Sequence, residues 1–192
     1  MKVTKAQAQA NRARIVETAS TLFRERGYDG VGVADLMAAA GFTHGGFYKH
    51  FGSKGDLMAE AAACGIAQTV ALSEGADLAR FVRVYLSREH RDARATGCTL
   101  AALSGDAARQ PDAVRATFAT GIENLLAALG AASAPDDAGA TERRARYLDV
   151  LAHAVGALVM SRACPDDAPL ADEILQVCSD SILASLQDLA TP

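Results

Sequence analysis

The 192-residue sequence contains no tryptophan, and aromatic residues make up only 5% of it. The five prolines lie in its later part, and segments with the alternating pattern of β-strands are almost missing. Half of the residues are hydrophobic, with abundant alanine, a composition typical of helices that pack closely on helices. The chain is long enough for one large or two small domains, so an all-α globular protein is predicted.

Long apolar runs and paired cysteines are also missing. The longest apolar run, 151–160, contains His153 and Gly156 and is shorter than the roughly 18 residues of a membrane span. The N-terminus has no apolar segment typical of a signal peptide. Neither a zinc site nor a disulfide framework is indicated, because no CxxC pair or histidine at ligand spacing accompanies the four cysteines, Cys64, Cys98, Cys164 and Cys178. A reduced, cytoplasmic protein without membrane segment, metal or cofactor is therefore expected.

Charge is distributed unevenly along the chain. Residues 1–55 carry eight Lys or Arg against four Asp or Glu, whereas the remainder carries eleven against nineteen. All four lysines, Lys2, Lys5, Lys49 and Lys54, lie in the first part. This basic part is where a polyanion is expected to bind. An enzyme would leave the asymmetry unexplained, and no Ser/His/Asp set or metal-ligand spacing is present, so a non-enzymatic protein is predicted.

Residues 42–51, with the sequence FTHGGFYKHF, predict a very short helix that follows a turn at Gly41 and is capped by Thr43. Such a helix is too weak to form alone, because nucleation is costly and each of two adjacent glycines costs roughly 1 kcal/mol relative to alanine. Its neighbours must hold it through the three phenylalanines, Phe42, Phe47 and Phe51. Tyr48, Lys49 and His50 would then present polar groups suited to phosphate oxygens.

The flanking segments predict a helix-turn-helix. A helix over 6–26, with Ile15, Ala19, Leu22 and Phe23 on one face, ends at Gly27. A short helix spans 33–40, and a longer helix runs from Ser53 to about Ser73. The arginines of the first helix, Arg12, Arg14, Arg24 and Arg26, are expected to be mostly solvated, with contact of those near its start to a DNA backbone as the alternative. Lys54 lies in the first turn of the longer helix, where the dipole disfavours a cation, which suggests an external negative charge nearby; a solvated lysine is the alternative.

Four segments together resemble the N-terminal domain of the TetR family of transcriptional regulators: Gly27-Tyr28-Asp29-Gly30, residues 33–41, residues 42–51 and Ser53-Lys54-Gly55-Asp56-Leu57. The resemblance covers about fifty residues without a gap. It implies an all-helical homodimer with one helix-turn-helix per subunit and a larger C-terminal domain that binds a small inducer. Repression is the family's usual mode.

The predicted architecture has about nine helices. Residues 1–55 form the DNA-binding domain, and a connecting helix leads into a ligand-binding and dimerisation domain over 56–192. Further helices are expected over 75–88, 97–109, 111–129, 141–163 and 169–189, with a polar loop over 89–96 and a second loop over 130–139.

The resemblance and the sequence together assign the DNA-binding residues. Phosphate contacts are expected from Tyr48, Lys49, His50 and Lys54, which leaves base reading to Thr43, His44, Gly45 and Gly46. His44 stands where the family often has lysine, and Gly46 where it often has a small hydroxyl residue, so the base-reading positions are those at which this chain departs from its relatives.

The last two helices carry apolar residues on broad faces, wider than one core requires. With the resemblance, this width predicts half of an intersubunit four-helix bundle, in which Ala152 and Gly156 permit close approach. A buried helical hairpin is the alternative. The predicted interface comprises Leu148, Leu151, Ala152, Val155, Gly156, Val159, Ile174, Cys178, Ile182 and Leu186.

A small-molecule inducer is expected to change the separation of the two reading helices, which must be roughly 34 to 36 Å to fit successive major grooves of a palindrome. For each candidate pocket residue, a place in the plain core is the favoured alternative; the candidates are Phe81, Tyr85, Cys98, Leu100, Leu103, Phe118, Ile122, His153 and Met160. A thiol-based redox or electrophile sensor is an alternative, since Cys98 would lie in the first turn of a helix. An architectural DNA-binding protein without ligand is a second alternative.

Overall fold

The computed structural model describes residues 4–130 and 139–187. These residues form nine α-helices and one 3₁₀ helix, with no strand among them. The prediction of an all-α fold is confirmed. In chain order the helices are α1 (Lys5–Arg26), α2 (Val33–Ala39), the 3₁₀ helix η1 (His44–Lys49), α3 (Lys54–Ser73), α4 (Leu78–Tyr85), α5 (Arg88–Asp92), α6 (Thr99–Ala107), α7 (Asp112–Gly130), α8 (Ala140–Ala163) and α9 (Pro169–Gln187).

The helices divide into two compact units that do not follow a single cut in the sequence. The first unit contains residues up to Gln68 together with Cys98–Gly121, and the second contains Thr69–Gly97 together with the described residues from Ile122 onward. The first unit thus adds most of α3, the whole of α6 and the first half of α7 to the segment predicted to bind DNA. The predicted boundary between a DNA-binding and a ligand-binding domain, after Gly55, stays a prediction.

The first unit is built on α1. The Thr4 hydroxyl accepts a hydrogen bond from the Gln7 amide at 3.1 Å and begins the helix. The helix ends at Gly27, whose φ of 74° is a backbone conformation that residues with a Cβ rarely adopt. Ile15, Ala19 and Phe23 are completely buried on the predicted face.

Arg24 was expected to be solvated with the other arginines of α1, and this prediction is wrong. The side chain is buried, and its guanidinium donates to the amide oxygen of Gln68 at 3.3 Å and to the hydroxyl of Thr99 at 3.5 Å. Thr99 belongs to α6, which packs against α1 in the first unit. The burial therefore depends on a helix that follows 75 residues later in the chain.

In the second unit, α8 and α9 pack against each other, and α4 and α5 pack against them. Two residues predicted at the subunit interface lie in this core instead: Leu151 is 3% exposed and Ile182 is 2% exposed. They lie on the sides of α8 and α9 that pack within the protomer. Other members of the predicted interface are exposed or half-buried, namely Leu148, Ala152, Val155, Gly156, Val159, Ile174, Cys178 and Leu186.

The predicted polar loop over 89–96 is partly wrong, because its first residues form α5. The Ser87 hydroxyl caps this helix by accepting from the His90 amide at 3.2 Å. Arg91 is only 1% exposed and donates to the carbonyl oxygens of Ser161 and Cys164 at 3.1 Å each. A charged residue in a polar segment thus anchors α5 on the C-terminal end of α8. The predicted loop over 130–139 and the last two residues of the predicted final helix fall largely outside the described residues.

Candidate nucleic-acid interface

The segment over 42–51 forms a short helix as predicted, but the helix is of the 3₁₀ type. The Gly46 amide donates to the Thr43 carbonyl at 2.9 Å, and the His50 amide donates to the Phe47 carbonyl at 2.9 Å. Thr43 occupies the N-cap position, but its side chain makes no capping hydrogen bond. The tighter winding suits so short a segment, since 3₁₀ helices occur in short pieces.

The aromatic anchors of η1 lie where they were expected. Phe47 and Phe51 are buried, with ring centroids 5.5 Å apart, and Phe42 is half-buried with its ring 6.5 Å from that of His50. The helix η1 also packs against α2, where Met37 is fully buried. Tertiary packing therefore supplies the stability that this sequence lacks by itself.

The opposite side of η1 is open. Thr43, His44, Gly45 and Lys49 are exposed, and Tyr48 is 70% exposed although it is aromatic. A Cβ added to Gly45 would meet no atom within 4 Å. These five of the predicted DNA-binding residues are therefore accessible from solvent, and the absence of a side chain at Gly45 allows a ligand to approach the backbone closely.

Gly46 and His50, the two half-buried members of the set, lie at the edge of this surface. A Cβ at Gly46 would lie 3.6 Å from the terminal methyl of Met37, which is ordinary contact. Gly46 therefore faces α2 as well as solvent, and His50 is turned partly towards Phe42.

Lys54, predicted to contact phosphate, has a partner inside the protein. Its ammonium group donates to the Tyr28 carbonyl at 2.6 Å and lies 5.9 Å from the centre of the Phe23 ring. The bond ties the start of α3 to the turn after α1. An ammonium group carries three N–H donors, so this bond leaves two for an external acceptor.

Arg12 is a structural residue of this region that sequence reasoning missed. Its guanidinium pairs with both carboxylate oxygens of Glu60, its Nε donates to the His50 carbonyl at 3.4 Å, and it lies 4.7 Å from the centre of the Phe51 ring. The hydrogen bond to Glu60 is the main cause that raises the pKa of Arg12. Arg12 thereby clamps the end of η1 to α3. The partners are 48 residues apart, so no local pattern marks the pair.

The turn after α1 is also held by α6. The Tyr28 amide donates to an Asp106 carboxylate oxygen at 3.1 Å, and the Tyr28 ring packs edge-on against Phe23 with centroids 5.0 Å apart. Burial is the main cause that raises the pKa of the Tyr28 phenol. The helix-turn-helix and α6 are therefore parts of one packed unit.

Comparison with known proteins places this region in a family. Residues 15–61 match the family model described as bacterial regulatory proteins, tetR family. The transcriptional regulator TtgR of Pseudomonas putida is 42% identical over 55 residues, which are 29% of this chain and 26% of TtgR. Over residues 15–61 the chain therefore matches the TetR family.

Two further relatives are transcriptional regulators as well. AcrR of Shigella flexneri is 39% identical over 57 residues, which are 30% of this chain and 26% of AcrR. The sequence match thus spans about a quarter of the length of these curated TetR-type relatives. The transcriptional repressor DhaR of a Mycobacterium species is 49% identical over 43 residues, which are 22% of each chain.

The likeness of fold extends further than the likeness of sequence. The reduced form of E. coli NemR superposes with a TM-score of 0.71 at 17% identity, covering 90% of this chain and 95% of NemR. A TetR-family regulator from Agrobacterium tumefaciens gives 0.69 at 21% identity, covering 93% and 98%. At these identities the agreement concerns the fold alone. The helices after α3 therefore share the fold of these two proteins.

The residues predicted to line an inducer pocket are divided between the two units. Cys98, Leu100, Leu103 and Phe118 belong to the first unit, and all four are buried there. Phe81, Tyr85, Ile122, His153 and Met160 belong to the second unit. Phe81 and Tyr85 are buried with ring centroids 5.2 Å apart, Ile122 and His153 are half-buried, and Met160 is 60% exposed. Met160 therefore faces solvent rather than a protomer interior.

The second unit has a cleft of about 430 Å³ between the α4–α5 segment and α9. Its lining includes Arg83, Arg88 and Asp180, with Leu86 and Leu175 beneath them. None of the residues predicted for the inducer pocket lines this cleft.

The cysteines give little support to a thiol sensor. Cys98 stands at the N-cap of α6 but is only 2% exposed, whereas a reactive thiol requires access. Burial is the main cause that raises the pKa of the Cys64 thiol, which disfavours its reactive thiolate. Among the described residues no group of histidines, cysteines and carboxylates is arranged to hold a metal ion, and no helix is long and apolar enough to cross a membrane.

Proposed function

We propose that this protein is a ligand-responsive transcriptional regulator of the TetR type, acting as a repressor, which binds a palindromic DNA operator as a homodimer and is released by a small-molecule inducer. The observation that carries the proposal is the open side of η1 within residues that match the family's DNA-binding domain. Repression is proposed because it is the usual mode of regulation in the family and because the similar protein DhaR is a transcriptional repressor.

The exposed groups of η1 suit two different tasks. Tyr48 and Lys49 offer a hydroxyl and an ammonium to phosphate oxygens, which positions the protein on DNA without reading sequence. Thr43 and His44 stand at the N-terminal end of η1 with no side chain at Gly45 beside them, and we assign base reading to this end. Lys54 and His50 would add phosphate contacts, Lys54 through the N–H groups that Tyr28 leaves unused.

The homodimer is supported by the surface of α8 and α9. Apolar residues remain exposed there, with Leu148 46%, Val159 45% and Val177 58% exposed. A Cβ added to Gly156 would meet no atom within 4 Å, so a second helix can approach α8 closely at this point. Large exposed apolar side chains on two adjacent helices are typical of an association surface.

The inducer is expected to act by binding one arrangement of the protein better than another, since a ligand shifts an equilibrium only by that preference. A coupling of about 1 to 3 kcal/mol is typical. The buried aromatic pair Phe81 and Tyr85 remains the proposed apolar part of the site, with His153 as a polar group. A thermal-shift screen with a metabolite panel tests this step, because an architectural protein without ligand would show no shift.

Selection of binding sites from a pool of random-sequence duplexes tests the DNA proposal. The purified protein should enrich a palindrome whose half-sites lie about one helical turn, or a multiple of it, apart. The affinity for the enriched duplex should fall steeply with salt, by roughly 0.9 in log-log slope per neutralised phosphate. Lys49→Ala should reduce the slope, whereas Arg80→Ala, which changes an exposed arginine of the second unit, should not. A pool without an enriched sequence, together with a flat salt dependence, would exclude the proposal.

A further inference from the structure

The four arginines of α1 have different environments, and one of them stands apart. Arg12 is paired with Glu60, Arg24 is buried among Gln68 and Thr99, and Arg26 lies 3.4 Å from the Glu25 carboxylate. Arg14 is exposed and has no carboxylate or hydrogen-bond partner among the described residues. Of these four guanidinium groups, that of Arg14 is therefore the one that no carboxylate or hydrogen-bond acceptor of the described residues engages.

The position of Arg14 is set by the turn that leads into η1. Its guanidinium lies 5.9 Å from the centre of the Phe42 ring. A Cβ added to Gly41 would come within 3.2 Å of Arg14 Nη2, so the group also lies against the Gly41 backbone, whose φ is +83°. The glycine and the ring together form a platform for the guanidinium.

This platform adjoins the surface assigned to DNA. Phe42 immediately precedes Thr43, and its ring lies 6.5 Å from that of His50. A guanidinium stacked over an aromatic ring keeps its N–H donors directed outward in its own plane, in the fork that matches phosphate oxygens. Stacking also restricts a side chain that would otherwise lose rotamer freedom on binding.

We propose that Arg14 is a phosphate-binding residue of α1, held in place by Phe42 and Gly41, which extends the DNA interface beyond η1. The inference rests on the proposed DNA-binding function and adds a residue to it. Phe42 is the positioning residue: it is half-buried, and its ring lies under the guanidinium. A proposed dimer presents two such groups, one for each half-site.

The test measures binding of the duplex that the wild-type protein enriches from the random pool, by fluorescence anisotropy between about 50 and 200 mM salt. Arg14→Ala should lower the log-log salt slope by about 1.8 for two lost contacts per dimer, so its affinity falls about 12-fold less than that of the wild type across this range. Arg26→Ala is the matched control, an exposed arginine at the other end of α1, and should leave the slope unchanged.

Sequence preference gives a second readout, because phosphate contacts carry no sequence information. Selection with Arg14→Ala should return the wild-type motif. An unchanged salt slope in Arg14→Ala would overturn the proposal, as would a changed motif, which would indicate a base contact instead. If the wild type itself enriches no duplex, the DNA-binding function fails, and that outcome is distinct from failure of Arg14 alone.

Discussion

Gly65 offers a sharp test of how the first unit is packed. It lies on α3, and a Cβ at this position would come within 2.3 Å of Thr99 Oγ1, 2.5 Å of Arg24 Nη1 and 2.7 Å of Ser20 Oγ. These contacts are too short for any real Cβ, and the three groups come from α1 and α6. The absence of a side chain at Gly65 is therefore what lets three helices meet.

Two opposing terms decide the effect of Gly65→Ala. Alanine favours an α-helix over glycine by about 1 kcal/mol, which would stabilise α3. Overpacking a filled core costs typically about 1–3 kcal/mol, and displacing the buried Arg24 guanidinium from its partners adds to this. We expect the free energy of unfolding to fall by about 1–2 kcal/mol in Gly65→Ala, because the steric and polar costs exceed the gain in propensity.

Urea unfolding followed by circular dichroism at about 222 nm measures the change. Gly105→Ala is the matched control: it makes the same substitution inside α6, where an added Cβ meets no atom within 4 Å. The control should be up to about 1 kcal/mol more stable than the wild type, from propensity alone. If Gly65→Ala is stabilised as much as Gly105→Ala, the close approach of α1, α3 and α6 is wrong.

Three further predictions concern the second unit and the thiols. Gly156→Leu should leave the helical content unchanged but raise the dissociation constant of the proposed dimer at least about tenfold in sedimentation experiments, because roughly 1.4 kcal/mol of overpacking corresponds to a factor of ten. A dissociation constant equal to that of the wild type would show that Gly156 does not lie in the interface. Burial lowers the pKa of His90 below its ordinary value of 6.5, so the neutral ring stabilises the fold above pH 6.5, and this stability is lost as the pH falls through the lower pKa of the folded state. Between about pH 7.5 and 5 the melting temperature of His90→Gln should therefore fall less than that of the wild type. Parallel curves for the two proteins would contradict this. Cys98 should react with a maleimide at least about tenfold more slowly than the half-buried Cys164 in the native protein, because the Cys98 thiol is covered. Equal rates would reopen the sensor alternative.

Local features of this protein were readable from the sequence by itself. The periodic apolar residues of α1 predicted its buried face, and Gly27 predicted its end, because both depend on neighbours within one or two turns. The phenylalanines around η1 were recognised as anchors because a helix so short needs external support. The open side of η1 followed from the same pattern, since residues that do not anchor are left to solvent.

Other features were decided by the tertiary structure alone. Arg12 became a clamp and Arg24 a buried residue because α3 and α6 supply their partners, whereas Arg14, on the same helix, remained exposed over Phe42. Leu151 and Ile182 belong to the core of the protomer because α8 and α9 turn those positions towards each other. Helix periodicity tells which residues share a face, but the partner of that face depends on contacts between segments far apart in the chain, and only the folded structure contains them.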